Sequence, residues 1–372
     1  MTLNKAQVEN VLRQFIPKGL ESNLFDLGLL KNTQVFGDEI ILDLEVTNPT
    51  LQYKNRLEKE CISFIKEEIN SSVTVKINFS VKKQDDVKIK RPDGIPGVSN
   101  IIAVSSGKGG VGKSTVTANL AVALSDLGYK VGVVDADIYG PSMHIMFDLH
   151  ARKPETVSVD GKNKIKPLDS YGVKLLSIAF FVKSDQAVVW RGPMASKALQ
   201  QLLWDTHWGD LDYLLVDLPP GTGDIHLSLV QLIPVTGALV VTTPQPVALA
   251  DAKKGVDMFK MESINVPVLG ILENMSYFSP EELPDNRYYI FGKEGAKRLC
   301  EEINVDLLGS IPLVQSVREA SDIGRPAVLQ GSTEIAIKFI NFAKKVVSII
   351  DQRNDTLPKS KIVEITHNDG CS

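Results

Sequence analysis

Residues Gly107-Lys108-Gly109-Gly110-Val111-Gly112-Lys113-Ser114-Thr115 gather four glycines, two lysines and two hydroxyl side chains into nine positions. This is the pattern G-x-x-x-x-G-K-[ST], which acquires meaning only with a strand before it and a helix after it. Both are legible. Ile101-Ile102-Ala103-Val104 is a short apolar, largely β-branched run suited to a buried strand, and Val116, Leu120, Leu124 and Leu127 recur at helical spacing. Further apolar runs at Val131–Val134, Leu214–Val216, Ala238–Val241 and Val266–Leu272 alternate with helical segments. The expected fold is therefore α/β, a mostly parallel doubly wound sheet.

The residue types follow from phosphate chemistry. Backbone N–H groups converge on phosphate oxygens only where no Cβ blocks the approach, which Gly107, Gly109, Gly110 and Gly112 permit. Lys113 is expected to set its ammonium against the β and γ phosphates of a nucleotide and Ser114 to ligate Mg²⁺. Val111 completes the loop and Thr115 serves the helix. Two apolar strands end in carboxylates: Val133-Val134-Asp135-Ala136-Asp137 and Leu215-Val216-Asp217. Open α/β sheets present their ligand-binding residues at such strand ends. Asp217 is the candidate Mg²⁺-side carboxylate, Asp137 the candidate for orienting an attacking water, and Asp135 a support for Mg²⁺ or for the loop. Gly221-Thr222-Gly223-Asp224 suits a segment that changes shape with the γ-phosphate. Lys108 points away from its own Mg²⁺ site and is the candidate to reach phosphate across a symmetric dimer, where it would neutralise charge developing during phosphoryl transfer.

The early-lysine loop, Asp135-Ala136-Asp137-Ile138-Tyr139-Gly140-Pro141-Ser142, Trp190-Arg191-Gly192-Pro193-Met194, Asp217–Asp224 and Glu273-Asn274-Met275-Ser276 together resemble the Mrp/ApbC iron-sulfur carrier ATPases, within the MinD/ParA-like deviant P-loop class. The resemblance spans about residues 99–350. It implies a homodimer that binds ATP with Mg²⁺, hydrolyses it slowly, and holds a 4Fe-4S cluster for delivery to apoproteins alongside iron-sulfur assembly factors. It also implies that Asn274 reads the adenine. That family carries a C-x-x-C pair shortly after the Asn-Met-Ser segment, yet here the chain continues Tyr277-Phe278-Ser279-Pro280-Glu281-Glu282-Leu283-Pro284-Asp285-Asn286-Arg287-Tyr288-Tyr289. The cysteines are Cys61, Cys300 and Cys371. Cys61 and Cys300 lie in helical patterns and read as small core residues. Cys371, with His367, is the candidate to supply a cluster ligand from each subunit. Two alternatives stay open: an ATP-switched interaction protein in iron-sulfur assembly that binds no cluster, and a MinD/ParA-like positioning ATPase.

With 372 residues the chain exceeds one typical domain. Residues 82–98 are charged and then broken by Pro92, Pro96 and glycines, as a linker is. The expected domains are a small α/β domain at 1–81, that linker, the ATPase domain at 99–354 and a flexible tail at 355–372. The first resembles a PaaD-like domain through Phe25–Leu30 and Val46–Pro49, although Thr50 and Leu51 stand where that family places a cysteine. Within it Val8, Val11, Leu12 and Phe15 predict a helix, Glu39–Val46 a strand, Leu57–Ile69 a helix and Val73–Val81 a strand. The formal net charge of -4 leaves no basic footprint for nucleic acid. No apolar run approaches the roughly 20 residues that span a bilayer, and the N-terminus opens no signal peptide, so the expectation is a cytoplasmic protein without membrane insertion. Along Ile335–Ile350, Ile335, Ile337, Phe339, Ile340, Phe342, Val346 and Val347 predict a helix face that packs on the sheet.

Overall fold

The computed structural model describes residues 3–17, 22–46, 51–81, 94–182, 190, 192–280, 282–283 and 285–363. Arg191, His367 and Cys371 lie outside the described residues. The chain divides into two compact units, Met1–Arg91 and Pro92–Ser372.

In the smaller unit, helix α1 (Lys5–Arg13) opens with a capping box. Asn4 Oδ1 accepts from the Gln7 N–H and Gln7 Oε1 accepts from the Asn4 N–H, each at 3.0 Å, so the first turn satisfies two otherwise orphaned donors. Strands β1 (Leu30–Phe36) and β2 (Glu39–Val46) pair antiparallel, and α2 (Leu51–Glu68) crosses to β3 (Thr74–Val81), parallel to β2. β2 alternates strictly, turning Ile40, Leu42, Leu44 and Val46 onto Val8, Leu12, Leu57, Cys61 and Ile65. The edge strand β1 carries no such signal: Lys31, Asn32 and Gln34 are polar, and Thr33 alone in this strand is fully buried.

The larger unit is built on β4 (Val98–Ser105), α3 (Lys113–Asp126), β5 (Val131–Asp135), the single-turn α4 (Met143–Met146), the hairpin β6 (Glu155–Val159) and β7 (Lys162–Lys166), β8 (Leu168–Ser170), β9 (Val173–Ser177), α5 (Gly192–Trp204), β10 (Leu211–Asp217), α6 (Asp224–Leu232), β11 (Gly237–Thr242), α7 (Pro246–Lys260), β12 (Val268–Phe278), α8 (Gly295–Ile303), β13 (Leu307–Leu313), α9 (Gln315–Asp322) and α10 (Glu334–Thr356). Eight strands form one sheet in the order β13-β12-β11-β4-β10-β5-β9-β8. Every pair is parallel except β8 with β9. A parallel sheet covered on both faces needs apolar strands throughout, and β5 and β11 are buried at every position.

Two expected boundaries shift. Ile95 is buried and β4 starts at Val98, so the ordered unit begins inside the segment expected as linker. Residues 355–363, expected as the start of a flexible tail, are tied to the larger unit instead. α10 runs to Thr356, Arg353 donates to Ser360 Oγ at 2.9 Å, and the Val363 N–H donates to the Val230 carbonyl of α6 at 2.9 Å. Val363 also packs on the main core, which gives this polar-looking segment its reason to stay. α10 buries Ile335, Phe339, Phe342 and Val346 as expected, whereas Ile337 faces outward, 48% exposed. Among the described residues no helix is long and apolar enough to cross a membrane.

Register places the site. Asp217 at the end of β10 stands beside Asp135 of β5 on one side and Val104 of β4 on the other, directly before the glycine loop. A second tie joins these elements: His226 on α6 lies with Nε2 3.2 Å from the Ser105 Oγ of β4, both side chains buried. Burial pushes the imidazole down to about 4, so it stays neutral in the fold while an unfolded chain takes up its proton near 6.5. Protonation of the unfolded state alone removes stability as pH falls from 6.5 towards 4. Between pH 7.5 and 5 the wild type should therefore lose about 2 kcal/mol more than His226→Gln in denaturant titrations, and equal losses would contradict this.

Candidate functional site

The loop between β4 and α3 is held open by its backbone. Gly112, the residue before α3, has φ 80°, and a Cβ there would strike the Asn274 side-chain amide. Gly107 is packed so closely on the backbone of Asp251 and Ala252 that any side chain would collide. The acidic segment leans on the same loop, since the Gly221 N–H donates to the Ser106 carbonyl at 2.8 Å. Asn274, 8% exposed, donates through Nδ2 to the Val111 carbonyl at 2.9 Å and braces the end of the loop from β12.

Lys113 is buried at 6% exposure, yet its ammonium is not stranded. Nζ lies 2.8 Å from Asp217 Oδ2, 3.8 Å from Asp137 Oδ2 and 3.2 Å from Ser114 Oγ. Ser114 Oγ donates to the same Asp217 oxygen at 2.6 Å. The other Asp217 oxygen, Oδ1, accepts from Thr117 Oγ1 at 2.8 Å. The expected Lys113, Ser114, Asp137 and Asp217 thus meet in one place.

Asp135 is differently occupied. Fully buried, it accepts from the Asp137 N–H at 3.3 Å through Oδ1, and from Ser177 Oγ at 2.9 Å and the Met143 N–H at 3.2 Å through Oδ2. Burial first, and the Asp217 charge second, raise it to about 7. Its contacts hold the loop carrying Asp137 rather than the lysine. Burial also raises Asp137, against the pull of Lys113, and its Oδ1 accepts from the Gly140 N–H at 3.2 Å. Lys108 stands exposed at the loop's outer edge with Gly109 and Gly110, and its carbonyl accepts from Ser106 Oγ. The Thr115 carbonyl accepts from Asn119 Nδ2 at 2.8 Å.

Sequence reasoning missed Thr117, Ser177 and His226. Thr117 had an available signal, one helical turn past Lys113 and therefore on the same face. Ser177 and His226 come from other elements, and only topology brings them in.

The segment after Asn274 is closed on itself. Phe278 and Tyr288 exchange backbone hydrogen bonds of 2.9 and 2.8 Å, the Tyr277 and Tyr289 rings meet edge to face at 6.4 Å, and the Arg287 guanidinium lies 4.6 Å over Tyr277. Glu273 at its root accepts from the Ala296 N–H at 2.7 Å, capping α8. The two described thiols are buried. Cys61 is pushed up to about 12 and Cys300 to about 11, chiefly by burial, one in each unit. Among the described residues no group of three or more His, Cys, Asp or Glu side chains is arranged to hold a metal ion. Hard oxygens at Ser114 and Asp217 suit a Mg²⁺ that takes its remaining ligands from phosphate and water, whereas an iron-sulfur cluster finds no thiolate set here.

Comparison with known proteins identifies the family. Residues 97–347 match the family model described as NUBPL iron-transfer P-loop NTPase, and residues 5–77 match that of an iron-sulfur cluster assembly protein. The iron-sulfur cluster carrier protein of Escherichia coli is 42% identical over 355 residues, 95% of this chain and 94% of its own. That of Aquifex aeolicus is 52% identical over 262 residues, 70% of each chain. Among solved structures, a nucleotide-binding protein of Archaeoglobus fulgidus in complex with ADP is 36% identical at TM-score 0.55, covering 66% of this chain and 93% of that one. The Pyrococcus furiosus cell division ATPase MinD is 26% identical at TM-score 0.50, over 68% and 99%. With relatives alike over nearly its whole length, the chain belongs to the NUBPL-type iron-transfer P-loop NTPases, the family of the iron-sulfur cluster carrier proteins.

Proposed function

We propose that the protein binds and slowly hydrolyses ATP to govern the carriage of an iron-sulfur cluster to apoproteins, acting as a homodimer. The observation that carries the ATP half is the buried Lys113 ammonium, 2.8 Å from Asp217 and hydrogen-bonded to Ser114, at the end of a loop whose Gly110 and Gly112 take left-handed backbone conformations. The carrier half is supported by relatives of near-equal length whose names state it.

In this reading the loop from Gly107 to Thr115 wraps the phosphates, and Lys113 moves its charge from carboxylate to the β and γ oxygens. Ser114 and Asp217 hold Mg²⁺, which when bound neutralises charge on the phosphoryl oxygens. Asp137, already held by the Gly140 N–H, orients the attacking water. Lys108, exposed on the outer edge, reaches the partner subunit's nucleotide. Asp135 holds the Asp137 loop and α4, and Asn274 joins the adenine side to the end of the loop. Gly221–Asp224, bonded to Ser106, moves with the γ-phosphate and carries that change to α6.

Cargo ligation falls to Cys371, together with His367, four residues earlier in sequence, because Cys61 and Cys300 are buried and held protonated. The closed Tyr277–Tyr289 segment favours a second reading, an ATP-switched partner in cluster assembly that carries no cluster itself.

Lys113→Ala should abolish the thermal stabilisation that MgATP gives the wild type, about 2.7 kcal/mol at ligand 100-fold above its dissociation constant. An unchanged shift would refute the phosphate assignment. For the cargo, anaerobic reconstitution should load iron and acid-labile sulfide onto the wild type and far less onto Cys371→Ser. Equal loading would remove Cys371, and a wild type that loads nothing would favour the second reading.

A further inference from the structure

We infer that Thr117 is a positioning residue that fixes the metal-side carboxylate of Asp217 and so sets how tightly Mg²⁺ couples to nucleotide. This deepens, and rests on, the reading of the site as a Mg²⁺-nucleotide site.

Asp217 is fully buried, so each of its oxygens must be satisfied by protein. Oδ2 has Ser114 and Lys113, both of which must change partners when phosphate and metal arrive. Oδ1 has Thr117 Oγ1 at 2.8 Å, a buried group inside α3, one turn beyond the loop. The terminal torsion of an aspartate is broad and roughly two-fold, and the Thr117 hydrogen bond selects the orientation that aims Oδ2 at Ser114.

Thr117 is itself fully buried in α3, among Val116, Ala118, Leu120 and Ala121. A β-branched hydroxyl residue is a poor choice for such a position unless its O–H is used. Its oxygen also lies 3.0 Å from the Lys113 carbonyl, the usual helical back-bond. With a single hydrogen to donate, the charged carboxylate is the stronger acceptor of the two. The helix fixes this arrangement, since Lys113 and Thr117 stand one turn apart on the same face, and β10 delivers Asp217 to both.

The test uses the full chain and the fluorescent probe N-methylanthraniloyl-ADP, titrated first in excess EDTA and then against Mg²⁺. In the wild type, Mg²⁺ should tighten binding. In Thr117→Val the Mg²⁺ concentration for half-maximal tightening should rise on the order of tenfold, the share of one charge-assisted hydrogen bond. Affinity in EDTA should stay within about twofold, and Thr117→Ser should recover the wild-type Mg²⁺ response. Thr117→Ala serves the same purpose should the valine variant fail to fold. A wild-type Mg²⁺ response in the Val or Ala variant overturns the inference, as does equal weakening with and without Mg²⁺, the mark of a packing defect. A wild type that binds no probe overturns the nucleotide reading itself, and this inference with it.

Discussion

A lysine ammonium and an aspartate carboxylate, both removed from water at the end of a parallel sheet, impose the strictest condition on this fold. Leaving either member of a buried pair alone costs several kcal/mol, so Lys113 and Asp217 each need the other or a replacement of matching charge. The sheet order supplies the pairing. β4 and β10 are neighbours, which sets the loop that ends in Lys113 beside the strand that ends in Asp217. Ser114, Thr117 and Asp137 then close the remaining valences. In the proposed reading a triphosphate and Mg²⁺ would satisfy the same two charges, phosphate for the ammonium and metal for the carboxylate.

Around this pair, hydrogen bonds tie β4 and its loop to the neighbouring elements. Gly221 hangs on Ser106, His226 on Ser105, and Val363 on α6. The Gly221–Asp224 segment and α6 are thereby linked to β4 and its loop on one side and to residue 363 on the other. The same mechanical logic holds at β12, where Asn274 braces the loop while its neighbour Glu273 caps α8. Between those anchors lies the Tyr277–Tyr289 turn. There the Phe278–Tyr288 backbone pair, the Tyr277–Tyr289 ring contact and Arg287 over Tyr277 hold the described residues together.

The parts of this structure that sequence discloses are those governed by local rules. Glycines with a lysine and hydroxyl at fixed spacing, apolar runs ending in Asp135 and Asp217, and the stripe along α10 each carry their signal within a dozen residues. What sequence conceals is set by partners far along the chain. β1 is an edge strand with polar residues at its centre, Leu30 and Val35 packing on the small core from its ends, and β8 joins the sheet antiparallel without any pattern of its own. Asp135 looks equivalent to Asp217 as a strand-ending carboxylate. Only Ser177, 42 residues later, and the Met143 N–H reveal that its oxygens hold a loop. Residues 357–363 read as tail because their anchor, the Val230 carbonyl, lies on a distant helix.

The most direct measurement of the central claim is a crystal structure of the full chain with Mg²⁺ and a non-hydrolysable ATP analogue. The account predicts β and γ phosphates inside the 107–115 loop, Lys113 Nζ moved from Asp217 onto their oxygens, and the metal on Ser114 Oγ with Asp217 beside it. Density for the analogue elsewhere, or a loop that binds it while Lys113 stays paired to Asp217, would contradict it.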